Sequence, residues 1–278
     1  SADIGVVIAS SNITGGISNV GLIQGDSASG TGVSVQSSTI SGGINNSGNI
    51  QAYNSIILTN NSVVAGGLDN SGILGANYSG VGVFNSTIIG NVNNSGTIES
   101  GIYVFGGQIQ GDVNNSGLLD GEATVGLSLL NGSTIDGDVI NSGTITGAYL
   151  GIYAVDSTIT GDINNQVTGL ISGATTGIGL VGSDLSGGIS NAGTIQGAGA
   201  AIYASGGGTI GGTINNAISG VILSDTWGIE LAGVEVGGIN NAGVISADIG
   251  VIIASSNITG GISNVGLIQG DSASGTGV

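Results

Sequence analysis

Lysine, arginine and histidine are absent from this 278-residue chain, and seventeen aspartates and glutamates stand unopposed, for a formal net charge of −17. No ion pair between side chains can form. Nucleic-acid binding is excluded, because nothing can neutralise phosphates, and anionic membrane surfaces repel such a chain. Without cysteine there are no disulfides and no thiol chemistry. No apolar run reaches the eighteen residues of a spanning helix, so direct membrane insertion of this segment is not expected. With no His, Cys or Lys, the usual bases and nucleophiles are missing, and the chain is not expected to be an enzyme. The i,i+2 acid pairs Asp120/Glu122 and Asp136/Asp138 are the only carboxylate arrangement of glycosidase type, and neither sits in a distinctive insertion.

Aromatics make up 3% of residues, so any core is built from Ile, Val, Leu and Ala. Glycine is plentiful, at 59 residues, and proline is absent. Hydrophobic residues at 40%, arranged periodically, argue against the disorder that glycine-rich composition otherwise suggests.

The period is carried by one stretch, GDVNNSGLL (Gly111 to Leu119), which reads as G-[G/D]-φ-x-N-x-G-x-φ with φ aliphatic. The φ before the asparagine is Ile17, Ile44, Leu68, Val92, Val113, Val139, Ile163, Ile189, Ile214, Ile239 and Ile262. Two residues later stand Asn19, Asn46, Asn70, Asn94, Asn115, Asn141, Asn165, Asn191, Asn216, Asn241 and Asn264. The asparagines are 21 to 27 residues apart, so loops absorb insertions around a fixed strand–turn–strand unit. A period of this size marks a solenoid, in which each repeat hides its apolar face on the next.

Each repeat predicts three short strands. The first begins at Ile13, Ile40, Val64, Ile88, Ile109, Ile135, Ile159, Leu185, Ile210 or Ile258. The second follows the Asn-x-Gly turn, as at Ile50, Ile98 and Ile145, and the third reads G-φ-x-φ, as in Gly151-Ile152-Tyr153-Ala154. Alternation with period two turns one face of each strand inward. The expected fold is all-β: a parallel, right-handed β-helix of about eleven coils, continuous over residues 1–278, with coils ~4.8 Å apart. Two coils, Ile163–Ile171 and Ile214–Ile222, insert two residues between Asn and Gly, an even number that preserves strand polarity. Glu235 falls where an inward Ile is expected. Either a carboxylate is buried, or a one-residue slip turns Val234 or Val236 inward; the cost of an unpaired buried charge favours the slip.

A longer period overlies the short one. Residues 246–278 repeat residues 1–33 with one change, Ile252 for Val7, an offset of 245 residues. The chain therefore reads as part of a tandem array, with 1–245 one ten-coil module and 246–278 the start of the next.

Stacking turns each register position into a column. The Asn column is expected to be a structural ladder, with a positive-φ geometry at the turn and each amide donating to one neighbouring coil and accepting from the other. Asp112, Asp138 and Asp162 form an acidic column. With Asp136 nearby it is the one candidate for a metal, Ca²⁺, although the pattern of calcium-binding solenoids is missing and a solvated acidic stripe is the favoured reading. Beyond this no cofactor is expected. Tyr103, Tyr153 and Tyr203 occupy one outward position in every second coil, placed either to stack on sugars or to cover their neighbours. A threonine column (Thr39, Thr87, Thr134, Thr158, Thr209) provides one Thr per coil, short of the paired T-x-T columns of an ice-binding face.

The strings GDVNNSGLLDG, GDVINSGTITG, GDINNQVTGLISG and GGISNAGTIQG resemble repeats in the passenger regions of bacterial autotransporter adhesins and of other giant secreted β-solenoid surface proteins. The resemblance spans essentially the whole chain. It implies a right-handed parallel β-helix, export to a diderm cell surface, and a role in adhesion, aggregation or biofilm matrix; it implies no catalytic residues. The 245-residue duplication and the absence of basic residues depart from a typical passenger and point to a long repetitive fibre. The expected function is thus a structural extracellular fibre segment whose partner is itself, end to end, with other fibres or glycans as further partners. The alternative is an adhesin that binds glycans or cell surfaces through outward Tyr, Asn and Thr columns.

Overall fold

The computed structural model describes residues 3–122 and 124–270. Every strand pairing in it is parallel, each strand meeting its equivalent one coil away, and the described residues contain no helix. About eleven coils stack into a β-solenoid, as the repeat spacing required.

One coil illustrates the rest. Thr134–Ile135, Val139–Asn141, Thr144–Gly147 and Leu150–Val155 are successive strands. The first of the three expected strands is thus divided in two at the Gly/Asp corner preceding the landmark aliphatic. Two 20-stranded sheets result, one from the first and second strands of all coils and the other from the third and fourth. Five inward positions per coil supply the core; in this coil they are Ile135, Val139, Ile145, Ile152 and Ala154, none more than 1% exposed.

The corners explain the glycine content. After the fourth strand the chain passes through the left-handed region, at Ser37, Asn85, Gly106, Asp156 and Gly182 among others, so this corner uses Gly, Asn, Asp and Ser. At the Asn-x-Gly turn the reason is different. Neither the ladder asparagines nor the turn glycines have positive φ, which corrects the expectation of a φ > 0 turn. The glycine is needed because the preceding coil comes too close: a methyl group on Gly143 would lie 2.1 Å from the Gly117 carbonyl oxygen.

The irregular coils keep their register. In the two wide turns Gly169 N–H donates to the Gln166 carbonyl and Gly220 N–H to that of Ala217. The extra residues Val167 and Ile218 project into solvent, while Ile171 and Ile222 remain fully buried. At the Glu235 coil the slip occurs. Val236 pairs with Ile210 on one side and Ile258 on the other and is fully buried, with a register shift between Ile210 and Thr213, while Glu235 is exposed. One residue missing from the corner costs less than a carboxylate in a core without cations.

Candidate functional site

The asparagine column runs unbroken along the solenoid. Asn19, Asn46, Asn70, Asn94, Asn115, Asn141, Asn165, Asn191, Asn216 and Asn241 each donate Nδ2–H to Oδ1 of the next, ending at Asn264, at 2.8–2.9 Å. All ten bonds point toward the C-terminal end, so the amide dipoles align. Each Nδ2 also reaches a third-strand carbonyl of the next coil, as Asn141 does Leu170 O at 3.1 Å, and eight of the ten reach the carbonyl of their own turn glycine, as Asn141 does Gly143 O at 3.2 Å. With Asn141 and Asn165 at 0% exposure, the column supplies polar partners where the backbone must turn inside the stack.

A second buried column escaped the sequence reading. Ser38, Ser62, Ser86, Ser133, Ser157 and Ser183 stand directly before the first strand and are at most 4% exposed. Their hydroxyls accept from the preceding coil, as Ser38 N–H to Ser62 Oγ and Ser157 N–H to Ser183 Oγ, and donate to carbonyls at the left-handed corner. The signal was present as the Ser before the Thr in SSTI, NSTI and DSTI, masked by a chain rich in serine.

The acidic column is structural in geometry. Asp112 Oδ1 accepts from Asp138 N–H at 2.9 Å, Asp138 Oδ1 from Asp162 N–H at 2.7 Å, and Asp162 Oδ1 from Gly188 N–H at 2.6 Å. Asn91 does the same for Asp112 N–H with an amide oxygen, so the position requires an acceptor rather than a charge. Asp136 lies apart, exposed, accepting from Gln108 Nε2. Among the described residues no group of three or more acidic side chains is arranged to hold a metal ion.

On the outside of the second strands, Asn114 donates to Asn93, and Asn93 to Asp69, opposite in direction to the inner ladder. With Ser71, Ser95 and Ser116 these residues border a shallow polar groove of about 450 Å³. The Thr column is interrupted by Val63, Gln108 and Asp184, with Thr134 and Thr158 its one directly adjacent pair, so no flat array of paired threonines forms. Glu99 and Asp120 are register partners. Burial, with Glu122 and Asp120 nearby, raises the Glu99 carboxyl above its usual value, and burial alone raises that of Glu230.

The tyrosines fall where alternation placed them. Tyr103, Ser128, Tyr153, Gly179 and Tyr203 succeed one another in one outward register column of the fourth strands.

Comparison with protein-family models, with curated proteins and with solved structures gives no match.

Proposed function

We propose that this chain is a segment of a structural extracellular β-solenoid fibre, a component of surface filaments or of a biofilm scaffold, joined end to end to further copies of itself. It has no catalytic role in this reading, and its place is the bacterial cell surface. The observation that carries the proposal is the junction between the two sequence copies. Val244–Ser246 crosses the boundary at residue 245 as one strand. Beyond it, Leu267–Gln269 stacks on that strand in register and Asn241 donates to Asn264 at 2.8 Å, as at every other step of the ladder. Because 246–270 has the sequence of 1–25 apart from one Val/Ile exchange, a module meets the next with the geometry of an ordinary coil. The interface is heterologous and propagates without closing. Aligned amide dipoles keep the stack polar, and a chain without Lys or Arg has no site for trypsin-like proteases.

Length increment is the test. A chain extended by one more 245-residue copy should lengthen by ~48 Å in small-angle scattering, ten coils at ~4.8 Å each. Modules that fold back on one another, with no such increment, would overturn the reading.

A second reading, an adhesin that contacts glycans, is favoured by the Tyr column on the fourth-strand face.

A further inference from the structure

The chain has nine aromatic residues, one Trp, six Tyr and two Phe, and six of them occupy the outward face of the fourth strands. Tyr103, Tyr153 and Tyr203 share the middle column, Phe84 and Phe105 are register partners in the column beside it, and Trp227 lies at the near edge. Leu130, Val155 and Val181 continue the Phe column. No charged residue enters these two columns from Gly82 and Phe84 through Tyr203 and Ser205. In a chain of net charge −17, this is an uncharged, apolar strip.

Two of the rings lie over glycines of the sheet. A methyl group on Gly179 would come within 3.2 Å of Tyr153 Cδ2 and 3.7 Å of its Cε2, and one on Gly82 within 2.5 Å of Phe84 Cε2. The Tyr153 ring, with Leu150, thus covers Gly179, and the Phe84 ring, with Ile57, covers Gly82. Ser128, outward between Tyr103 and Tyr153, is only 4% exposed. Tyr103 and Phe105 are nearly parallel, at 9°, with centroids 6.4 Å apart. Phe84 is tilted 39° from Tyr103, with centroids 5.5 Å apart, so alternating large and small residues give a strip of low relief with one inclined ring at its N-terminal end.

Low relief, the lack of charge and the period together select the occupant. Acidic polymers are repelled by the chain's charge, and a cationic partner would find a single carboxylate, Glu230, which follows Tyr203 in the next coil and ends the uncharged strip. A second copy brings the same net charge and meets glycines already covered. Tyrosines in alternate coils stand ~9.6 Å apart, twice the coil spacing, close to the length of two sugars in an extended β-1,4-linked glucan, whose C–H faces stack on aromatic rings. We propose that the fourth-strand face binds a neutral, flat-ribbon polysaccharide of cellulose type, with Tyr103, Tyr153 and Tyr203 as its stacking residues. This rests on the adhesive reading and is independent of the fibre: filaments that ignore cellulose, or short stalks that bind it, separate the two.

The test is depletion of the full chain from solution by microcrystalline cellulose at neutral pH. The wild-type chain should partition onto the solid, and the Tyr153→Ser/Tyr203→Ser double variant should lose at least about tenfold in partition constant, about 1.4 kcal/mol. Thr158→Ser, on the other sheet, should bind as wild type. A guanidinium midpoint reports whether the double variant folds. If it does not, Tyr153→Leu/Tyr203→Leu keeps the cover over Gly179 without a stacking ring and should show the same loss. Folded wild type that stays in solution, or a folded double variant retained equally, overturns the proposal. So does a tyrosine-dependent dimer of the wild-type chain in sedimentation without polysaccharide, which would make the occupant a second copy.

Discussion

Replacing Asn141 by Asp exchanges one atom and tests the ladder's logic. Nδ2 of Asn141 faces three oxygens, Asn165 Oδ1 at 2.8 Å, Leu170 O at 3.1 Å and Gly143 O at 3.2 Å, in a side chain with no exposure. An ionised carboxylate there would set a buried anion against acceptors with no cation in the chain, so the group must take up a proton. Holding an Asp of ordinary pKa ~3.9 protonated at pH 7 costs about 4 kcal/mol, at 1.36 kcal/mol per unit. Loss of one of two amide hydrogens adds about 1 kcal/mol. The sign follows from linkage: the folded-state pKa is raised, so the folded chain keeps a proton that the unfolded chain releases, and the deficit grows as pH rises. At pH 5, still above the sequence pI of about 4.1, the protonation cost falls to about 1.5 kcal/mol. Asn141→Ala leaves Asn165 Oδ1 without its ladder donor and opens a small void, for a loss of about 3 kcal/mol, independent of pH. Guanidinium unfolding followed by far-ultraviolet circular dichroism, at pH 5 and pH 7, compares the two variants. The Asp variant should gain about 2–3 kcal/mol on the Ala variant between pH 7 and pH 5. An Asp variant as stable as wild type at pH 7, or one that tracks Ala at both pH values, would refute the account of a dry, directional ladder.

Other outcomes follow from the columns. Asp138→Asn keeps an acceptor for Asp162 N–H, as Asn91 does for Asp112, and should be neutral within about 0.5 kcal/mol, whereas Asp138→Ala should lose about 1 kcal/mol; EDTA should leave the unfolding midpoint of the wild-type chain unchanged, as a thermal scan will read. Gly151→Val would place a branched side chain where even a Cβ meets Gly177 O at 2.8 Å and Ile171 Cγ2 at 2.9 Å; a loss of about 3 kcal/mol in chemical denaturation is expected, with Gly151→Ala milder, since Ala201 occupies the same column. Burial, Glu122 and Asp120 raise the Glu99 carboxyl, so its ionisation opposes folding as pH rises through the folded-state value. Glu99→Gln should therefore stabilise at pH 7 by less than about 1 kcal/mol, and the gain should shrink toward pH 5 in paired unfolding curves.

Much of this architecture is legible in the sequence because the solenoid writes each column as a period. The Asn-x-Gly motif marks both the turn and the inner ladder, and the leading aliphatics mark the inward face. The slip at Glu235 could be foreseen because an unpaired carboxylate in a core without cations has no tolerable position. What escaped depends on contacts between coils. The turn glycine was assigned to φ, although its cause is the carbonyl of the coil before it, invisible to any local rule. The buried Ser column was hidden because serine is also the commonest outward residue here. That Asp112, Asp138 and Asp162 each cap the next coil's backbone became apparent only once Asn91 was seen doing the same work without charge. The Tyr column was legible as a period, but its low relief depends on the glycines at 82 and 179, which lie beneath the Phe84 and Tyr153 rings.

The most direct test of the proposed extracellular fibre is cryo-electron microscopy of material sheared from cells that express the chain. Long thin filaments with a ~4.8 Å axial layer line and a ~48 Å repeat are the predicted result. Short stalks ending in a distinct head, without that long repeat, would contradict it.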